Sequence, residues 1–465
     1  MSSEYSLPEK ITAFHLALMG VFAAWAFGGG VDWAITVISV LGSLAPVITL
    51  LALRERRTAK LPSSTTLYLL IPLLGFNALV LLGIMQPALR VVTIENSSVF
   101  IPRSDLSAWP CSARPEFALK ELWLFDAIVL SCINLLIAIR HRGILRTLLL
   151  VLVANALLLS LFGSFQKFTN ASGLFFGQVP SPNSTFFASF IYHNHWGAFV
   201  VLILSVCLGL LFNLRPWSGY RDFWHSPALV TVVAIFFLAA TIPLSTSRSC
   251  SLLAILILTG ALLHGLRRIF RHLKEQGRST IAPSFFLILT VIVALGMSYL
   301  LARPMIEERV ADTRDQLSHM REIGGLGARA QLYGDTWRMA NDRLWFGWGL
   351  GSYGTVFSLY NTQHASDNLP QHYEDAHSDW LQLLAETGAI GFFLFITLLA
   401  TPLMVLSRLG KISSLPQYLF AGCALILLYA GIEFPFGNPA VTLTFWTCYF
   451  CAVRWVQLES CEHSG

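Results

Sequence analysis

The chain has 465 residues, of which 55% are hydrophobic and only 12% are Asp, Glu, Lys or Arg, about half the roughly 25% charged fraction of soluble domains. That balance excludes an ordinary soluble enzyme, and a net charge of +5 spread unevenly over short loops gives no basis for nucleic-acid binding. The eight Cys lie mostly within apolar runs and read as small packed hydrophobes rather than as a disulfide framework. Cys111 alone falls clearly in an outer loop, and the C-x-x-C of Cys448 and Cys451 lies in the last apolar run. No basic stretch precedes the first apolar run, so no cleaved signal peptide is expected.

A hydrocarbon core of about 30 Å needs roughly 20 apolar residues per helix. Apolar runs near 11–29, 32–53, 67–89, 121–139, 147–165, 191–214, 226–246, 249–266, 281–302, 380–406, 416–433 and 439–457 predict about twelve spans, each able to satisfy its backbone internally only as a helix. With the N-terminus inside, the cytoplasmic connections and helix flanks hold 18 Lys or Arg against 13 outside, seven of those in one long loop. The positive-inside rule then predicts that both termini are cytoplasmic. Segments 90–120, 166–190 and 303–376 face outward. The expected fold is therefore an all-α integral membrane protein: nine spans in 1–302, a large extracytoplasmic helical loop in 303–377, and three spans in 378–465. In the loop, Ile306, Val310, Leu317 and Met320 share one helix face that Gly324 and Gly325 can end. No strand-rich stretch and no internal repeat of 20 to 50 residues stands out.

Every Lys or Arg of that loop is Arg: Arg303, Arg309, Arg314, Arg321, Arg329, Arg338 and Arg343. Guanidinium forks match phosphate oxygens and stay charged at every relevant pH, the property a departing diphosphate requires. The competing reading is ordinary salt bridging, since seven acidic residues between 307 and 342 can neutralise most of them. Arg248 lies in S-T-S-R-S at 245–249, a tight outer turn where a charge near hydrocarbon is costly and reads as functional; snorkelling to headgroups is the alternative. His377, in D-A-H-S-D-W at 375–380, stands at the outer entrance of a span. Its imidazole can take a proton from an attacking hydroxyl, with Asp375 or Asp379 to orient the ring. Helix capping, or metal ligation with His364, His372 and Glu374, competes with that reading, but neither H-E-x-x-H nor a zinc-finger spacing is present and no metal is expected. G-x-G-x-x-G at 349–354 lacks a βαβ context despite Glu374 downstream, so Gly347, Gly349 and Gly351 read as a tight turn. In Y-H-N-H-W at 192–196, Asn194 and His195 can line a polar mouth, or Tyr192 and Trp196 can form an interfacial belt.

Taken in order, HNHWGAF (193–199), STSRS (245–249), RAQLY (329–333), DRLWFGWGLG (342–351), HSDWLQ (377–382) and AETG (385–388) resemble the O-antigen ligase and polymerase superfamily of bacterial membrane glycosyltransferases. The likeness covers roughly the second half of the chain, with one departure where many relatives have a proline before the glycines. It implies catalytic roles for Arg248, Arg329 and His377, with Arg338, Asp379, Glu386, His195 and Asn194 as further site residues and Glu386 orienting rather than reacting. It also implies a metal-independent, inverting transfer without a cofactor, from a polyprenyl (undecaprenyl) diphosphate-linked glycan on the periplasmic face of the bacterial inner membrane. Lipid A core is the favoured acceptor, with a growing glycan or an exported protein as alternatives. A polysaccharide flippase would share the span count but is expected to show repeats and midplane charges. A peptidoglycan polymerase of similar architecture would differ in using a lipid-linked disaccharide-peptide donor.

Overall fold

Apolar helices dominate because each long hydrophobic run can close its own backbone hydrogen bonds. The computed structural model describes residues 5–55, 64–94, 97–103, 109–213, 227–276, 328–363, 372–406 and 412–463, with isolated helical positions between 281 and 296. Its helices are α1 (Leu7–Trp25), α2 (Asp32–Gly42), α3 (Ala45–Glu55), α4 (Ser64–Ile84), α5 (Pro115–Ala138), α6 (Arg142–Phe168), α7 (His193–Asn213), α8 (Pro227–Leu244) and α9 (Arg248–Glu275). After these come α10 (Ala328–Asp342), α11 (Tyr353–Phe357), α12 (Asp379–Leu406), α13 (Ser414–Tyr429) and α14 (Pro439–His463). Among the described residues six stretches are long and apolar enough to cross a membrane: Asp32–Glu55, Pro115–Ala138, Arg142–Phe168, His193–Asn213, Arg248–Glu275 and Asp379–Met404. Three shorter apolar helices, Tyr68–Ile84, Leu229–Leu244 and Ser414–Tyr429, accompany them. The expectation of twelve spans is thus met in part. Most of the 281–302 run, the helix face of Ile306 to Met320, Arg303, Arg309, Arg314, Arg321 and His364 lie outside the described residues.

Two elements differ from the sequence reading. The run at 32–53 is two helices, α2 and α3, separated at Ser43 and Leu44. Between α4 and α5, where no strand was expected, β1 (Leu89–Ile94) and β2 (Ser97–Pro102) form an antiparallel hairpin with Val91 opposite Phe100. The segment is too short to span and rich in Val, Ile and Thr, so pairing with itself satisfies its backbone better than a helix would.

Buried α7 forms the axis of the bundle and packs against α6, α8, α9, α13 and α14. Contacts sort the helix ends into two layers. Glu9 of α1 accepts from the amides of Arg140 (2.8 Å) and His141 (3.0 Å), and Arg142 bonds Glu459 at 3.1 Å, joining α1, α6 and α14 at one end. The opposite end carries the hairpin, residues 328–363 and 372–377, and the turn between α13 and α14. There the amide of Ala113 donates to Trp348 O (2.8 Å), and Arg343, only 4% exposed, donates to Arg103 O (2.6 Å) and Cys111 Sγ (2.9 Å). Cys111, in the connection between β2 and α5, is buried there, and Cys448 and Cys451 are buried free thiols as expected.

The glycine-rich turn docks on a break in α12. Gly388 has φ +65, so the helical ladder is interrupted there. The amides of Ala389 and Ile390 turn instead to Leu344 O (2.7 Å) and Trp345 O (3.2 Å). Carbonyls of Ala385 and Glu386 accept from Trp348 (3.0 Å) and Gly349 (2.7 Å). These four backbone groups at the break thus find partners on the turn, as burial demands. A Cβ at Gly388 would collide with the backbone of Trp345 and Phe346. Gly388→Ala should therefore lower stability by at least about 2 kcal/mol, from left-handed strain plus the clash. Gly260→Ala, with open space around it, should be neutral or stabilising. Thermal unfolding of the two variants in detergent checks this; equal midpoints would contradict the account.

Candidate active site

Four segments converge at the hairpin end: the first turns of α10, the entrance to α12, residues 431–437 after α13, and the start of α7. Their centre is Glu433, whose side chain is 2% exposed. One carboxylate oxygen takes an ion pair from Arg329, and the other lies 3.5 Å from His377 Nδ1 and accepts from the Tyr192 hydroxyl at 3.4 Å. Burial pushes the Glu433 carboxyl up, but the His377 hydrogen bond and the Arg329 charge outweigh it and hold it below the usual carboxylate range. Glu433 is thus an anion facing one fixed cation and one imidazole. A proton on His377 Nδ1 serves Glu433 and leaves Nε2 as an acceptor, the tautomer a base needs.

His377 sits at φ +49, a left-handed conformation uncommon for a residue with a side chain. Surrounding bonds hold it there. Tyr333 OH donates to His377 O (2.9 Å), the Ala376 amide to Gln382 Oε1 (3.0 Å), and the Asp379 amide to Glu433 O (3.2 Å). The ring meets Phe434 edge-on at 4.9 Å. Arg329 keeps a 54% exposed side chain, so most of its five N–H donors remain open to a ligand.

Arg248 is the exposed first residue of α9, following Thr246 at φ +66. Its turn is tied to the centre by a chain of bonds: Ser247 Oγ donates to Asn194 Oδ1 (2.6 Å), Asn194 Nδ2 to Tyr192 OH (2.8 Å), and Tyr192 OH to Glu433. Asn194 is accordingly a structural link. His195 Nε2 lies 3.1 Å from Phe434 O, and Tyr192 stacks on Phe434 at 5.3 Å, so both brace the 431–437 turn.

Asp379 Oδ2 accepts from the Phe436 amide at 3.0 Å. Asp375 is half-buried, and burial pushes its carboxyl up while the nearby His377 charge pulls the other way. Glu433 takes the orienting place because the α13–α14 turn folds over the α12 entrance. Arg338, nine residues beyond Arg329 and on the far flank of α10, pairs with Asp335 and reaches Tyr360 O at 3.5 Å. Glu386 accepts from the amides of Gly351 (2.9 Å) and Tyr353 (3.0 Å), supporting the glycine turn, where Gly347, Gly349 and Gly351 all have positive φ. Among the described residues no group of three His, Cys, Asp or Glu could hold a metal ion. Sequence reading passed over Glu433, although a signal existed: it is the one acidic residue between 387 and 458, at the edge of an apolar run where a charge is costly.

The family model described as O-antigen ligase (Wzy_C) matches residues 233–396, about a third of the chain. The matched segment carries Arg248, Arg329, Arg338 and His377, while Glu433 and Asn194 fall outside it. On that match residues 233–396 are similar to the O-antigen ligase family, which supports a glycosyltransferase-like enzyme activity in general. A comparison with curated proteins finds no match.

Glu433→Gln keeps the shape and removes the charge. At neutral pH it should destabilise the protein by about 1 to 3 kcal/mol, discounted for the half-exposed Arg329. Because the Glu433 carboxyl is lowered on folding, its contribution is present above the ordinary carboxylate pKa and lost as pH falls through the depressed value. Thermal midpoints measured from pH 7 down to pH 3 should converge at the acid end; a constant gap would refute the ion-pair assignment.

Proposed function

We propose that the protein transfers a glycan from a polyprenyl diphosphate to an acceptor hydroxyl, most directly that of lipid A core, on the periplasmic face of a bacterial inner membrane. The observation that carries this reading is the single hydrogen-bonded chain linking the Arg248 turn, Arg329 and His377 through Asn194, Tyr192 and Glu433. In the reaction the acceptor oxygen attacks the anomeric carbon from the face opposite the diphosphate. Its proton passes to His377 Nε2. The bond from the anomeric carbon to the phosphate oxygen breaks and its electron pair leaves with the diphosphate, whose charge Arg248 and Arg329 neutralise. The configuration inverts, and the two guanidiniums supply the charge stabilisation without a metal. Glu433 stabilises the imidazolium that forms and holds Arg329 toward the leaving group.

Sidedness follows from charge. Arg140, Arg142, Arg146, Arg267, Arg268, Arg271, Lys274 and Arg454 cluster at the end opposite the site, which the positive-inside rule assigns to the cytoplasm, along with both termini. Nucleotide sugars are confined to that compartment, so a donor used on the other face arrives attached to a lipid.

In proteoliposomes given a purified polyprenyl diphosphate-linked oligosaccharide, wild type should label lipid A core. His377→Ala should lose about 100- to 10,000-fold in rate. Arg248→Ala and Arg329→Ala should each lose about 100- to 1,000-fold, and Arg329→Lys should recover little because the bidentate fork is gone. Labelling of a glycan or protein acceptor instead would make the enzyme a repeat-unit polymerase or a protein O-oligosaccharyltransferase. Glycan crossing the bilayer with no acceptor labelled would overturn the reading. A second test is chelation: activity should survive EDTA, and loss reversed by a divalent metal would sink the metal-independent mechanism.

A further inference from the structure

The flanks of α10 divide the labour of that helix. One flank, with Gln331, Asp335 and Arg338, is tied to residues 360–362: Gln331 Nε2 donates to Thr362 Oγ1 at 2.9 Å, and Asp335 accepts from the Thr362 amide at 2.8 Å. The other flank carries Arg329 and Tyr333, which reach Glu433 and the His377 carbonyl. Trp337 continues this second flank at the next i+4 position, about 6 Å farther along the helix axis. Its side chain is 51% exposed, and among the described residues it has no hydrogen bond or ring contact.

An exposed Trp by itself needs no explanation. Its setting does. Gly334, in the interior of α10 beside Tyr333 and Trp337, has nothing within 4 Å of where a Cβ would stand. A helix-interior glycine costs about 1 kcal/mol relative to alanine, and no neighbour requires it here. The result is an open shelf between the site and the indole face. Around the shelf the exposed residues are Ala330, Gln331, Arg338, Asn341 and Asp342. A lipid tail would find only the indole and the small Ala330 on this face of α10, whereas interfacial binding needs a broad apolar face.

We propose that Trp337 is the floor of a sugar subsite, on which a pyranose ring of the glycan chain stacks one helical turn from the reacting centre. The aromatic face is electron-rich and complements the C–H face of a pyranose, while the polar rim offers donors and acceptors to the hydroxyls. The inference rests on the proposed glycosyl transfer for the identity of the occupant and extends it from the anomeric centre to the sugars beyond.

The test separates the two. The free oligosaccharide released from the lipid-linked donor is titrated into the protein in nanodiscs and followed by saturation-transfer NMR. Wild type and Trp337→Phe should saturate the pyranose ring protons, and Trp337→Ala should weaken binding about tenfold or more. In parallel, the ratio of kcat/KM for the full oligosaccharide donor over a single-sugar donor should fall about tenfold in Trp337→Ala and recover in Trp337→Phe. Equal binding by wild type and Trp337→Ala overturns the subsite whatever the transfer result. Binding lost in Trp337→Ala but with no transfer by wild type supports the subsite and counts against the proposed reaction instead. Normal sugar binding by Trp337→Ala, together with quenching by brominated phospholipid that is present in wild type and reduced in Trp337→Ala, would assign the indole to the membrane and overturn the proposal.

Discussion

A buried carboxylate must be paired, and Glu433 satisfies that requirement by drawing together elements remote in sequence. Arg329 comes from α10, His377 from the entrance to α12 and Tyr192 from the start of α7. Without such partners an ionised carboxyl at this depth would cost several kcal/mol, so the anion and its partners are interdependent. The same dependence makes the site preorganised: the cation, the imidazole and the phenol are held in place by the charge they balance. Groups fixed in advance stabilise a developing charge without reorganising at the moment of reaction.

A second layer of constraint surrounds that centre. The break at Gly388 and the turn through Gly347, Gly349 and Gly351 exchange backbone hydrogen bonds with each other. Glu386 completes the exchange by accepting two amides of the same turn. This clamps the turn that follows α10 onto α12 and anchors the C-terminal end of α10. The left-handed backbone of His377 belongs to the same economy of local strain held by surrounding bonds.

The division of α10 into a docked flank and an exposed flank connects this frame to substrate. Asp335 and Arg338 spend their charges on each other and on residues 360–362. What remains open, from Arg329 past Gly334 to Trp337, is a polar strip with one aromatic face.

Hydropathy alone determined that the chain is a helical membrane protein, because only helices close their hydrogen bonds within an apolar run. Motif order likewise singled out Arg248, Arg329 and His377, since charged and imidazole groups at the mouths of spans are rare and costly. The tertiary structure decided the rest. The contact of His377 Nδ1 with Glu433, fifty-six residues downstream, came only from the fold, because no local spacing reveals that the α13–α14 turn folds over the α12 entrance. Arg338 stands on the opposite face of α10 from Arg329, because nine residues turn a helix by half a revolution, and Asp335 pairs with it there. Asn194 and His195 became braces, and the β-hairpin emerged from a segment that hydropathy could describe only as too short to span. Sequence records which groups are costly to bury; only the folded chain shows which partners meet that cost.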